Sequence, residues 1–136
     1  MLSQLLVAIH VAADLFWVGA LTAAALILRV EAVGPAARGK IALVVYRRIA
    51  NPAFVVAVLT GLARLSLDLE YYLRVTHWMH LKLALAVALI ALHHVVASKA
   101  RRMSAGTPQL SLGRATVAAI ALSALGAAVL AVLKPF

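Results

Sequence analysis

The sequence contains no cysteine and only four acidic residues among its 136 positions. The missing thiols exclude disulfides, thiolate metal sites and catalytic cysteines, and they leave histidine as the main candidate ligand for a soft metal. Charged residues make up only 12% of the chain and hydrophobic residues 65%, a balance that excludes an ordinary soluble domain. The chain is therefore predicted to be an integral membrane protein.

Several familiar catalytic patterns are also missing. The sequence has no nucleotide-binding loop, no Ser-His-Asp arrangement, no paired carboxylates and no zinc-protease helix. It does carry 13 lysines and arginines and a net charge of +9. These basic residues gather at the ends of apolar runs, where membrane topology alone would place them. A nucleic-acid partner is therefore not expected.

Four apolar segments are each long enough to cross a bilayer, which takes about 20 residues. They predict a single all-α domain, a polytopic up-down bundle of four transmembrane helices, with spans at residues 5–28, 41–65, 77–98 and 115–133. The start of the chain has no basic flank, so we expect the first span to remain rather than to be cleaved as a signal peptide. Arg47, Arg48, Asn51 and Pro52 interrupt the second span, which predicts an interfacial first half and a kink near Pro52.

The basic residues are distributed unequally between the two ends of the predicted bundle. Most belong to the first and third connections or to the same end of the second span, namely Arg29, Arg38, Lys40, Arg47, Arg48, Lys99, Arg101, Arg102 and Arg114. The positive-inside rule places this end in the cytoplasm. Both termini are then expected on the non-cytoplasmic side of what we predict to be the bacterial inner membrane.

Ionisable residues inside the spans are candidates for function, because each costs a few kcal/mol in hydrocarbon unless it has a partner. His10, Asp14 and Trp17 follow helical spacing and share one face of span one. His77 and His80 share a face near the corresponding end of span three. In an up-down bundle these two spans lie diagonally across the core, so His10 and His80 are expected to meet at a similar depth.

This arrangement leaves two interpretations open. In the first, His10 and His80 hold a haem between them, and Lys82, Arg64 or Arg74 bind its propionates. In the second, His10 and Asp14 only satisfy each other, and His77 and His80 lie in water at the interface. A carboxylate beside an imidazole would orient it as a ligand or pass protons from a substrate.

Two further histidines lie deeper in span three. His93 and His94 follow His80 by about 20 Å along a helix, so they cannot share its site. Polar side chains gather at span ends, which favours interfacial histidines beside a basic loop. The alternative is an anion-binding pocket formed with Arg47 and Arg48.

Several strings together resemble a known family, the HemJ-type protoporphyrinogen IX oxidases. The resemblance covers almost the whole chain and is carried by His10 with Trp17 and Gly19, Tyr46-Arg47-Arg48-Ile49 with Pro52, Thr60-Gly61, Trp78-Met79-His80-Leu81-Lys82-Leu83, His93-His94 and Lys134-Pro135-Phe136. It implies a haem-b-binding membrane protein that oxidises protoporphyrinogen IX, a tetrapyrrole, and passes electrons to quinone or the respiratory chain. On the matching positions it implies that His80 is the haem ligand, Lys82 its essential basic neighbour and His10 the second histidine of the site.

Two other hypotheses remain. The related CopD-like copper-transport proteins share histidines on similar spans, and the chain departs from the HemJ pattern in the turn after span one, at Leu26-Ile27-Leu28-Arg29. On that hypothesis the copper ion is bound or conducted without catalysis by His10, Asp14, His77 and His80, with Met79 as a soft ligand. The third hypothesis is a structural subunit without a cofactor. On the haem hypothesis, the haem site could also be completed between protomers of a homo-oligomer.

Overall fold

The computed structural model describes residues 1–107 and 112–133, and this part of the chain is helical with no strand. The helices are α1 (Leu2–Ile27), α2 (Pro35–Val45), α3 (Asn51–Ser66), α4 (Trp78–Ser104) and α5 (Arg114–Leu133). The terminal Lys134-Pro135-Phe136, which carries part of the family resemblance, lies outside the described residues. The all-α prediction is confirmed.

Four helical segments have the length and composition needed to cross a membrane. They are Leu2–Ile27, the combined α2 and α3 from Pro35 to Ser66, Trp78–Ser104 and Arg114–Leu133. The first, third and fourth agree with the predicted spans within a few residues, apart from the basic end of α4, which continues past Ser98. Helix α4 continues because Lys99, Arg101 and Arg102 are good helix formers whose positive charge is favourable at a helix C-terminus.

The second span begins earlier than predicted. Gly34 and Pro35 were expected to keep the chain irregular up to Lys40, but Pro35 lies at the first helical position, where its fixed φ and missing N–H cost nothing. Helix α2 packs against α4 and α1 and buries Arg38, Gly39 and Ala42. Helix α2 thus packs on the bundle, and the interfacial position of this first half of the segment stays a prediction.

The irregularity expected near Pro52 is a wide, π-helical turn at Tyr46–Ala50 that joins α2 to α3 without ending the helix. Proline has no N–H to donate to the preceding turn, and such a turn accommodates one missing hydrogen bond. Tyr46 and Ala50 point into the core, whereas Arg47 and Arg48 remain exposed.

Neighbouring spans run antiparallel, as an up-down bundle requires. His10 near the start of α1 lies beside Ala57 in α3, and Gly39 near the start of α2 lies against Ser104 at the end of α4. Helix α1 packs mainly on α3, and α4 packs on α2 and α5, so α1 and α4 face each other diagonally. We call the end with the α1–α2 and α4–α5 connections the basic end, and the other the loop-2 end.

Candidate functional site

A cluster of polar side chains lies in the half of the bundle nearer the loop-2 end. We call it the His10 cluster; its members are His10 and Asp14 of α1, Thr60 of α3 and Lys82 of α4. The imidazole and the carboxylate are both incompletely buried, with 22% and 41% of their side-chain surfaces exposed. Three helices thus contribute to one polar patch within the membrane-spanning part of the bundle.

The imidazole of His10 has a defined orientation. Its Nδ1 lies 2.8 Å from the backbone carbonyl oxygen of Ala57. A carbonyl oxygen only accepts hydrogen bonds, so Nδ1 carries a proton and donates it. The other ring nitrogen, Nε2, lies 3.4 Å from Oδ2 of Asp14, and a proton held between these two atoms makes them a hydrogen-bonded pair. A bond from Nδ1–H to a backbone carbonyl is the arrangement that fixes a histidine for metal ligation through Nε2.

Gly61 provides the space for this ring. A Cβ atom built at Gly61 would lie 2.9 Å from Cε1 of His10 and 3.3 Å from its Nδ1. Real Cβ atoms do not approach other atoms so closely, so a side chain here would displace the imidazole. The hydroxyl oxygen of Thr60 lies 3.4 Å from Nδ1 of the same ring. This hydroxyl is also within hydrogen-bond distance of the carbonyl oxygens of Val56 and Ala57.

Lys82 is the member of the His10 cluster that lies on α4. The side chain is half-buried, and its positive charge is opposite to that of the half-buried Asp14 carboxylate. The two are not a direct ion pair among the described residues, where Asp14 pairs only with His10. The two residues predicted to be catalytic, Asp14 and Lys82, therefore belong to the same polar cluster.

The remaining histidines of the predicted site lie elsewhere on α4. His80 is exposed on its first turn, and His77 is exposed immediately before that turn, with the two ring centroids 6.3 Å apart. The structure does not bring either ring into contact with His10, which faces α3. Within residues 1–107 and 112–133, no three histidine, aspartate or glutamate side chains are grouped to hold a metal ion.

The two arginines predicted as propionate anchors have partners of their own near the loop-2 end. The guanidinium carbon of Arg64 lies 5.2 Å from the ring centroid of Tyr72, which itself packs edge-on against Trp78. Arg74 pairs with Glu70 at 3.4 Å, and both of these side chains are largely exposed. Arg64 is thus held at the rim of the bundle, whereas Arg74 lies in the solvated connection.

Trp17 belongs to a second cluster, which the sequence analysis missed. Its indole N–H donates to Nδ1 of His93 at 3.1 Å, and Nε2 of His93 lies 2.8 Å from the hydroxyl of Tyr46. The ring of Phe54 stacks on the imidazole at a centroid distance of 4.4 Å. We call Trp17, Tyr46, Phe54 and His93 the His93 network.

The predicted interfacial position of His93 is wrong, because its side chain has no exposed surface at all. Burial is tolerated because both ring nitrogens are hydrogen-bonded. His94, one residue later, faces outward and is exposed as expected. The sequence contains one indication of the contact between Trp17 and His93. Both residues lie at similar distances from the basic ends of their helices, and therefore at a similar depth in the membrane.

The hydrogen-bond directions in the His93 network follow from the donor types. Indole nitrogen can only donate, so Nδ1 of His93 accepts and the proton of the neutral ring must be on Nε2. Nε2–H then donates to the oxygen of Tyr46, whose own hydroxyl donates to Oδ1 of Asn51 at 3.4 Å. His93 therefore has no lone pair left for a metal, and the network excludes it as a ligand.

Comparison of the chain with family models, with curated proteins and with solved structures gave no match in any of the three searches.

Proposed function

We propose that this protein is a haem-b-binding membrane oxidoreductase that oxidises protoporphyrinogen IX to protoporphyrin IX. The observation that carries the proposal is the orientation of His10, whose Nδ1–H is bound by a backbone carbonyl, so that Nε2 is the nitrogen that would coordinate a metal. The sequence resemblance supports it, because His80 and Lys82 are the positions that the HemJ pattern assigns to the site. The bound haem would supply an iron centre that accepts electrons and passes them on.

The residues present supply the donor types that such a group needs, on separate helices. His10 and His80 would be its ligands, one from α1 and one from the first turn of α4. Lys82 lies two residues after His80 on the inward side, and Arg64 lies at the rim beside Tyr72, so both are basic groups suited to propionates. Trp17 is a further residue that we expect to contact the cofactor, through its ring, because its N–H is bound to His93.

Asp14 has a separate role in the proposal. Oxidation of a porphyrinogen removes protons as well as electrons, and a carboxylate 3.4 Å from an imidazole is placed to accept a proton and release it near the loop-2 end. The electrons pass to a quinone of the same membrane, which we propose is the bacterial inner membrane with the basic end in the cytoplasm. The positive charge of Lys82 offsets the negative charge of Asp14, which lowers the cost of placing that carboxylate inside the membrane.

An absorption spectrum of the detergent-purified protein tests the haem proposal directly. We expect a Soret band and sharp reduced α and β bands, which are lost in His10→Ala and in His80→Ala. His94→Ala is the matched control, because His94 is exposed on the same helix and lies outside the His10 cluster. A wild-type protein without a Soret band after expression with haem precursors, or one whose spectrum survives both ligand substitutions, contradicts the proposal.

The activity has its own readout. Purified haem-loaded protein should convert protoporphyrinogen IX to fluorescent protoporphyrin IX only when a quinone is supplied as electron acceptor. Asp14→Asn should retain the haem spectrum and lower the rate by about a hundredfold, the usual scale for loss of a general acid–base group. An unchanged rate in Asp14→Asn removes the proton-transfer role but leaves haem binding intact.

A second candidate function is copper binding of the CopD kind. It is favoured by the 3.4 Å separation between Nε2 of His10 and Oδ2 of Asp14, since imidazole and carboxylate together suit Cu(II). Met79 does not assist as predicted, because it is buried on a different face from the exposed His77 and His80. A colourless protein that retains stoichiometric copper, lost in Asp14→Asn, would establish this function in place of the first.

A further inference from the structure

Arg47 and Arg48 lie unusually deep in the bundle for exposed charges. They follow Tyr46, which contacts the fully buried His93 near the middle of α4. Along the helix they lie about 10 Å inside Lys40, at about 1.5 Å per residue. Both side chains are exposed on the outer surface of the bundle. In a membrane this surface faces lipid, where an unpaired guanidinium is costly.

The wide turn at Tyr46–Ala50 explains why the two arginines lie there. It keeps Tyr46 and Ala50 against the core and turns both intervening guanidinium groups outward. Asn51 follows one turn later and is also exposed. Its Oδ1 accepts the hydroxyl of Tyr46 at 3.4 Å, so its amide N–H groups are directed away from that contact. The guanidinium groups of Arg47 and Arg48 and the side-chain amide of Asn51 thus lie on one outward surface, which we call the Arg47 surface.

The chain offers no acidic group to neutralise this surface. It has only four carboxylates: Asp14, Glu31, Asp68 and Glu70. Asp14 pairs with His10, Glu70 pairs with Arg74, and Asp68 lies in the loop-2 connection. Glu31 lies in the α1–α2 connection, beyond Lys40 at the basic end. Neither arginine makes an ion pair within the described residues, so both guanidinium groups can accept an anion from outside the chain.

We propose that the Arg47 surface, formed by Arg47, Arg48 and Asn51, binds the phosphate of an anionic phospholipid in the leaflet at the basic end. Arginine binds phosphate through two parallel N–H donors, and its long side chain can reach from hydrocarbon to the headgroup layer. Val44 and Ile49 are exposed beside it and offer an apolar surface to the acyl chains. Basic residues beside membrane helices are the usual recognition elements for anionic lipid.

The site is independent of the proposed function. It lies on the outside of α2 and α3, whereas the His10 cluster lies between α1, α3 and α4 near the other end. Through Tyr46 it is connected to the His93 network, so an occupied phosphate site would also hold the wide turn in place.

Native mass spectrometry of the full-length protein tests the proposal, with phosphatidylglycerol and phosphatidylcholine offered in equal amounts. We expect the wild type to retain phosphatidylglycerol in preference. The double variant Arg47→Gln/Arg48→Gln should lose that preference by about fivefold for each arginine removed. The matched control is Arg101→Gln/Arg102→Gln, which removes the same charge from the exposed last turn of α4.

A third variant tests whether lipid binding depends on this particular site or only on the positive charge of the basic end. Asn51→Asp supplies a carboxylate from within the chain, one turn from both arginines. It should abolish selective lipid retention while raising the melting temperature in phosphatidylcholine, since the arginines then have an internal partner.

Three results would overturn the proposal. The first is equal retention of the two lipids by the wild type, and the second is an equal loss in the Arg101/Arg102 control. The third is a preference for protoporphyrin IX over phosphatidylglycerol that disappears in Arg47→Gln/Arg48→Gln, because the anion would then be a tetrapyrrole carboxylate.

Discussion

His93 shows how a titratable side chain is kept inside the apolar core of the bundle. Trp17 donates to one ring nitrogen and the Tyr46 hydroxyl accepts from the other, so no polar atom of the ring lacks a partner. The contacts come from three spans, and each of the three side chains depends on the other two. Removing one partner leaves a buried polar atom, which costs more than the hydrogen bond itself contributes.

Trp17→Phe should therefore lower stability by about 1–3 kcal/mol, because Nδ1 of His93 loses its donor inside the core. The measurement is thermal or denaturant unfolding in detergent, followed by circular dichroism. Phe16→Leu serves as the control, since Phe16 is largely exposed to lipid and should change stability by less than about 0.5 kcal/mol.

A triple substitution distinguishes the loss of hydrogen bonds from the loss of side-chain volume as the cause of destabilisation. Combining Trp17→Phe, Tyr46→Phe and His93→Leu removes every polar partner together and should be less destabilising than the sum of the single changes. Additive losses would mean that packing, and not the hydrogen bonds, dominates in the His93 network.

Gly61 leaves room for the imidazole of His10 because glycine has no side chain. Gly61→Ala should displace the imidazole of His10, whose Cε1 would otherwise lie 2.9 Å from the new methyl group. The ring can move, so we expect a small net change in stability but a shifted haem spectrum or metal affinity. Gly19→Ala is the control: no atom lies within 4 Å of its Cβ position, and alanine should stabilise that helix by about 0.5–1 kcal/mol.

At the scale of the helices, α2 and α4 make the closest backbone approach. A Cβ atom at Gly39 would overlap the backbone of Met103 and Ser104 at the end of α4. Backbone atoms cannot move aside as the His10 ring can, so the two helices can lie this close only with glycine at this position. Met103 and Ala100 are fully buried in the same contact region.

Gly39→Ala should consequently destabilise the bundle by about 1–3 kcal/mol, the usual cost of overpacking, and by more than Gly61→Ala. Unfolding midpoints in one detergent give the comparison. Gly34→Ala is the matched control, since Gly34 precedes α2 at a negative φ and has no atom within 4 Å of its Cβ position. Equal effects of the Gly39 and Gly34 substitutions would disprove the close approach.

For the whole molecule, the uneven charge of the two ends predicts its orientation in the membrane. The α1–α2 and α4–α5 connections are strongly basic, whereas Asp68 and Glu70 offset Arg64 and Arg74 at the loop-2 end. The four antiparallel spans put Leu2 and Leu133 on the same side of the bundle. The positive-inside rule then predicts that this side is non-cytoplasmic.

Because the chain has no cysteine, single cysteines report topology without background. In intact cells a membrane-impermeant maleimide should label Asp68→Cys at the loop-2 end, whereas Glu31→Cys should react only after the membrane is opened. Both side chains are exposed in the structure, so access from water does not distinguish them. The reverse labelling pattern would place the basic end outside the cytoplasm.

The amino-acid sequence by itself determined the membrane class, the four spans and the basic end. These properties are local: hydropathy over about 20 residues and the positions of lysine and arginine do not depend on which helices touch. The least accurate boundary was the start of the second span, where Pro35 begins a helix that hydropathy alone placed at Ile41. Helix ends follow caps and packing, which the hydropathy profile does not include.

Only the tertiary structure decided the partners of the polar residues. Helical spacing correctly placed His10, Asp14 and Trp17 on one side of α1, but it did not show that His10 turns to the Ala57 carbonyl and Trp17 to His93. A partner depends on the rotation of each helix and on the small residues that permit close approach. For the same reason His93, which resembled an interfacial residue in the sequence, lies in the core.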